Sequence, residues 1–251
     1  EIISKWAPAT WTGYNSLAFD EQFFRHSFYQ CLQPNIYATQ FDGNQRLDVM
    51  RVVFSCHELA HDVLDWPIGD NGRQSFKLDR LAPANGFTQH DAHDALGDVE
   101  ATIHIVRLIK ERAPNFWRQC LSNRSKADVN ALLETGQPLR LVERFGANPP
   151  KSYFGCFCGR NPQNPNSVGF YDLDGGDPAA LLDSDDDVIM RAITASPKRI
   201  RTVAVNNVPS LFEKMPIDPL HRSRADMIAG RPDFHGRVGQ ALAGRYPEGE
   251  R

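Results

Sequence analysis

No run in this 251-residue chain approaches the ~18 to 20 uncharged apolar residues that a membrane-spanning helix requires. No basic stretch leading into an apolar, cleavable segment opens it either. Both absences lead to the expectation of a soluble, cytoplasmic protein with no membrane partner. Cysteine is sparse and odd in number: Cys31, Cys56, Cys120, Cys156 and Cys158 are irregularly spaced, which argues against a disulfide framework. Cys156-Phe157-Cys158 alone is too small for a zinc site. An excess of positive charge is missing as well. Lys and Arg total 28 against 31 Asp and Glu, a formal charge of -3, so no global basic field points to a nucleic acid. Any phosphate binding must be local or carried by a metal. The chain also begins at Glu1 rather than Met, from which a fragment is expected.

What is present suits a globular protein: 41% hydrophobic and 24% charged residues can build a core. Residues 9–135 carry mostly helical periodicity, broken by a Gly/Asn-rich stretch at 65–72 and a turn at 83–86. The clearest helix is predicted over 94–112, with an apolar stripe at Leu96, Val99, Ile103, Val106 and Ile109. Lys110 and Arg112 suit the negative end of its dipole, and Pro114 ends it. Another helix is predicted over 47–64, and residues 11–15 read as the tail of a strand. After Gly136 the Pro- and Asn-rich breaks at 148–150 and 161–166 separate short strands near 153–158, 168–173 and 201–205. The acidic run 183–187 reads as the start of a short helix. It lacks the Gly and the closing Glu of a calcium loop. Residues 216–251 are polar and Arg-rich and break off before forming a unit.

The densest chemistry lies in His90-Asp91-Ala92-His93-Asp94-Ala95-Leu96-Gly97-Asp98-Val99-Glu100. A five-residue step from His93 to Asp98 could bring an imidazole and a carboxylate to one mouth. Two-metal phosphodiester hydrolysis needs such a pair, the carboxylate for Mg²⁺ and a base near neutral pKa for the attacking water. The bland alternative is that Asp94 and Asp98 cap a helix and His93 is a surface residue. Asp20, in Asn15-Ser16-Leu17-Ala18-Phe19-Asp20-Glu21, would stand where a strand end passes into a helix, the place where open α/β sheets gather ligands. It could equally be an ordinary carboxylate at a helix N-terminus.

Taken in order, Thr12-Gly13-Tyr14-Asn15, Phe19-Asp20-Glu21, Leu47-Asp48-Val49-Met50-Arg51, Ser75-Phe76-Lys77-Leu78, Ala84-Asn85-Gly86 and Ala92-His93-Asp94-Ala95 with Asp98-Val99 resemble bacterial exodeoxyribonuclease I. The likeness is dense over residues 12–126 and thinner through Asp172-Leu173, Leu181-Leu182 and Val205-Asn206-Asn207-Val208-Pro209. It implies an α/β protein. A partial ribonuclease H-like exonuclease domain (1–135) would precede a β-rich SH3-like domain (136–215) and the start of a linker or helical region (216–251). It further implies 3′ to 5′ degradation of single-stranded DNA to 5′-mononucleotides by a monomer using two Mg²⁺ ions, with Mn²⁺ as a substitute. A single-strand-binding protein would be a further partner.

Carried over by position, the resemblance makes Asp20 and Asp98 metal-binding aspartates and His93 the general base of a DEDDh-type site. Arg25, Arg51, Phe76, Lys77 and, more weakly, Lys126 fall at DNA-contacting positions. Cations there could pair with phosphates and Phe76 could stack a base. Arg25 and Arg51 could instead be solvated helix residues and Phe76 a core residue. The family's first motif, Asp-x-Glu on an opening strand, is not in the chain. The only Asp-x-Glu is Asp98-Val99-Glu100, and on a helix two positions diverge by ~200°, so Glu100 cannot replace it. Upstream sequence is expected to supply that motif, and residues 1–251 alone are expected to be nearly inactive.

Two rival readings remain. His57-Glu58-Leu59-Ala60-His61 is a literal H-E-x-x-H, which on a helix would bind zinc for proteolysis with Glu58 as base. Alternatively, the chain is a non-catalytic single-strand-binding module whose affinity falls steeply with salt and ignores Mg²⁺.

Overall fold

The computed structural model describes residues 2–88, 95–213 and 216–245. A short helix, α1 (Ile2–Trp6), precedes strand β1 (Thr10–Gly13). Helix α2 (Asp20–Gln30) and the loop after it then cross over to β2 (Gln45–Asp48), which pairs parallel with β1 in the register Thr10↔Gln45 to Gly13↔Asp48. Parallel neighbours demand such a crossover, since no tight turn can join them.

Helix α3 spans Val49–Leu59, not the predicted 47–64. Leu47 and Asp48 belong to the strand, because Asp48 turns its carboxylate onto the N–H of Met50 and caps the helix. A single 3₁₀ turn, His61–Val63, follows Ala60. Then come α4 (Leu78–Ala84), α5 (Ala95–Arg112) and α6 (Pro114–Ser122), the last with its proline at the first position, where a missing N–H costs nothing. Helix α5 lies where the sequence places it, but rotated. It buries Gly97, Ala101, Thr102, Ile105 and Ile109, leaves Val106 half-buried, and exposes Leu96, Val99 and Ile103 at 63%, 54% and 43%. The buried face mixes small residues with two isoleucines, and a search for large apolar residues overlooks such a face.

The chain divides into two compact units, 1–125 with 142–151 and 208–210, and 126–141 with 152–207 and 211–251. The second unit opens with α7 (Lys126–Glu134) rather than after residue 135. Its sheet is ordered β6-β5-β4-β3-β7, from β3 (Leu139–Glu143), β4 (Lys151–Arg160), β5 (Ser167–Asp172), β6 (Ile200–Ala204) and β7 (Leu211–Glu213). The pairs β4/β5, β5/β6 and β3/β7 are antiparallel. Helices α8 (Ala179–Leu182) and α9 (Asp186–Thr194) lie between β5 and β6 in the chain, with Asp186 and Asp187 at the positive end of α9.

Residues expected to break off before forming a unit instead make α10 (Pro219–Ala229) and α11 (Pro232–Gly244). Ile228, Phe234, Val238 and Leu242 join Cys156, Tyr171, Ile189 and Ile200 in one buried cluster. Their apolar positions recur at helical spacing, a signal masked by the many arginines between them. Among the described residues no helix is long and apolar enough to cross a membrane.

Candidate nucleic-acid cleft

Strand β1 ends at Gly13, and the chain turns through Tyr14 and Asn15 into α2, whose first residue is Asp20. A Cβ at Gly13 would stand 3.1 Å from Ser16 Cβ and 3.9 Å from Asp20 Oδ2, so the glycine lets this turn fold back on the strand end. Asp48 holds the turn from the neighbouring strand. Its Oδ1 accepts the Asn15 N–H at 2.9 Å and the Met50 N–H at 3.0 Å, and its Oδ2 accepts that of Leu17 at 3.2 Å. Burial raises its carboxyl pKa, against the pull of these N–H groups and of Arg51.

Beside the turn, a cleft of about 860 Å³ is lined by Tyr14, Asn15, Met50, residues 69–71 and 74–80, Asp98, Arg144 and Ala147. Asp98 reaches it from the first turn of α5 and Lys77 from the N-terminal end of α4. The Tyr14 hydroxyl donates to the backbone oxygen of Phe76 and so ties the strand end to the 74–80 wall. Its pKa lies well above the usual phenol range, first through burial and then through the charge of Asp48, with Arg144 opposing. On the rim, Arg80 grips Asp70 with two contacts of 2.9 Å.

The other sequence-predicted residues are scattered. Asp20 is exposed at the start of α2, next to Gly13, and is not among the residues lining the cleft. Arg25 donates from Nε to Glu21 O and lies 5.7 Å from the Tyr37 ring centroid. Arg51 is half-buried between the charges of Asp48 and Glu143, and burial lowers its pKa. Lys126 is exposed at the head of α7, in the second unit. His93 lies outside the described residues.

Phe76 requires a correction. The residue is only 3% exposed, and its ring packs edge-on against Phe54 at 5.5 Å and near His57 and Trp66, so it is a core residue and not an open platform for a base. The alternation of apolar residues around it was open to both readings. The sequence assigns no site role to Tyr14, Asp48 or Arg144. Asp48 before an apolar run is a recognisable cap, whereas nothing local singles out Arg144.

The H-E-x-x-H run does not make a zinc site. The helix ends at Leu59, and His61 sits in the 3₁₀ turn beyond it. His57 uses Nδ1 with Glu58 and Nε2 with Gln74, while His61 Nδ1 pairs with His57 O. Among the described residues no three His, Cys, Asp or Glu side chains are grouped to hold a metal ion. Asp20 and Asp98 carry hard oxygen donors of the kind Mg²⁺ prefers, and only Asp98 lines the cleft.

No protein-family model matches the chain. Exodeoxyribonuclease I of Escherichia coli strain K12 is 32% identical over 219 residues, which are 82% of this chain and 46% of that relative. The chain thus spans less than half the length of the curated relatives it matches. Among solved structures, E. coli exonuclease I in complex with a 5cy-dA13 oligonucleotide superposes with a TM-score of 0.75 at 26% identity, over 99% of this chain and 58% of the other. An ExoI/SSB-Ct complex gives 0.71 at 29% identity, over 93% and 54%.

Proposed function

The chain is exodeoxyribonuclease I-like in sequence and in fold, and on that premise we propose that it serves a Mg²⁺-dependent 3′ to 5′ exonuclease that hydrolyses single-stranded DNA to 5′-mononucleotides. The observation that supports this most is the convergence of three separate motif runs, Tyr14-Asn15, residues 75–78 and Asp98, on one cleft. In this reading the first unit is ribonuclease H-like and the second SH3-like.

Asp20 and Asp98 would hold the metal, together with carboxylates beyond the described set. Bound Mg²⁺ supplies charge that offsets the repulsion between phosphate and acidic side chains and makes water a better nucleophile. His93 takes the proton from the attacking water. Lys77 meets a backbone phosphate at the cleft, and Arg25, Arg51 and Lys126 meet others along the strand. Because one relative is seen in complex with SSB-Ct, a single-strand-binding protein is a candidate partner for this chain as well.

The test is release of nucleotides from a 3′-labelled single-stranded oligonucleotide by the intact protein. Release is expected with Mg²⁺ and none in excess chelator. His93→Ala should lower turnover by ~10² to 10⁴ while sparing binding, and Asp98→Asn should be at least as damaging. Salt-sensitive binding without product, indifferent to Mg²⁺, would favour the binding-module reading instead.

A further inference from the structure

Arg144 reaches the cleft from residues 142–151, which belong to the first unit although the chain has already begun the second. Its guanidinium carbon lies 4.8 Å from the Phe76 ring centroid and 5.1 Å from that of Phe54. Those two rings meet at 80°, so the cation rests in the angle between them. Nε donates to the backbone oxygen of Asn148 at 2.9 Å, which orients the plane of the group. Among the described residues no carboxylate forms an ion pair with Arg144, in contrast to Arg80, which Asp70 neutralises on the same cleft.

An arginine held against aromatic rings has already given up much of its rotamer freedom, so little more is lost when it binds a ligand. Its two Nη groups form a planar fork matched to two oxygens of one phosphate. A cleft-wall cation with no ion-pair carboxylate among the described residues suits an anionic guest, as Lys77 does on the same cleft. We propose that Arg144 is a phosphate-binding residue of this cleft, gripping the backbone of a single DNA strand independently of its sequence. Phe76 and Phe54 then act through Arg144, as the surface that orients it. The proposal rests on the nuclease reading of the cleft and adds to it a contact that the sequence resemblance does not mark.

The experiment is fluorescence anisotropy of a labelled dT oligonucleotide with the intact protein, in chelator, over a series of KCl concentrations. Arg144→Met keeps the stem on the rings without the charge, and Arg144→Lys keeps the charge. Losing one phosphate contact to a single strand should make the slope of log affinity against log salt shallower by about 0.7. Affinity at low salt should fall about tenfold, as for a lost charge-assisted hydrogen bond. Arg144→Lys should retain the slope. A wild-type slope and affinity in Arg144→Met, with normal strand degradation by the wild type, would overturn the proposal and leave the nuclease reading standing. A wild type that neither binds nor degrades the strand would sink both. If Arg144→Met fails to fold, phenylglyoxal labelling of the wild type decides. Protection of Arg144 by the oligonucleotide supports the contact, and equal modification with and without it rejects the contact.

Discussion

The Asp48 carboxylate accepts the backbone N–H of Asn15 at 2.9 Å, joining the last residue of β2 to the turn that follows β1, 33 residues earlier. The same side chain caps α3 and holds Leu17, so one buried group sets both the cleft's strand-end wall and the approach to Asp20. Asp48→Ala would strand three N–H groups, and a loss of about 3 kcal/mol is expected in urea denaturation. A loss under about 0.5 kcal/mol would mean that water replaces the carboxylate without penalty.

The raised pKa of Asp48 adds a pH dependence. An acid whose folded pKa exceeds its unfolded value, about 3.9, binds more protons when folded. Stability therefore falls as pH rises from about 4 through the folded pKa. The stability of wild type minus that of Asp48→Asn should decline over this window and then level off. A difference that grows with pH would show that the three N–H groups outweigh burial.

Phe76 is expected to behave as a core residue. Phe76→Ala should cost about 3 to 5 kcal/mol of stability, whereas the same change at exposed Phe23 should stay within about 0.5 kcal/mol. Thermal or urea melts of the two variants check this. Equal, small effects would return Phe76 to the list of open stacking residues.

Of the five cysteines, all free, only Cys31 is exposed. Burial pushes the Cys56 and Cys156 thiols up to about 12 and those of Cys120 and Cys158 well above the ordinary value. Thiolate is the reactive form, so a disulfide reagent near pH 8 should titrate one thiol in the folded protein and all five in denaturant. Several fast thiols under native conditions would contradict the packing.

Helix α11 offers an internal comparison. A Cβ at Gly239 would fall 2.4 Å from the backbone oxygen of Arg160 in β4, whereas one at Gly236 would meet nothing within 4 Å. Gly239→Ala should cost about 1 to 3 kcal/mol, and Gly236→Ala should gain up to about 1 kcal/mol from helix propensity. Similar melting temperatures for both variants would mean that α11 does not lie close against β4.

Local signals carried well wherever the chemistry was local. The helix of residues 95–112, the strand before the turn at Tyr14, the strands between the Asn/Pro-rich breaks and the acidic start of α9 follow from capping, dipole and turn rules that act within a few residues. Asp98 was placed in its first helical turn for the same reason. Fold likeness was legible too, because several ordered motifs together are far more specific than any one alone.

Tertiary structure decided what depends on distant neighbours. Leu47 reads as the start of a helix, and it becomes strand because β1 pairs beside it. Which face of α5 is buried depends on the elements packed against it, and composition does not reveal that. Phe76 could stack a base or fill a core, and Phe54, His57 and Trp66 settle the choice. Arg144, unremarkable among 28 cationic residues, becomes a cation on aromatic rings only when residues 142–151 fold back onto the first unit. Sequence determines the local elements and the chemical character of this chain, and long-range packing assigns each side chain its neighbours, because burial and charge pairing are properties of contacts that only the folded chain creates.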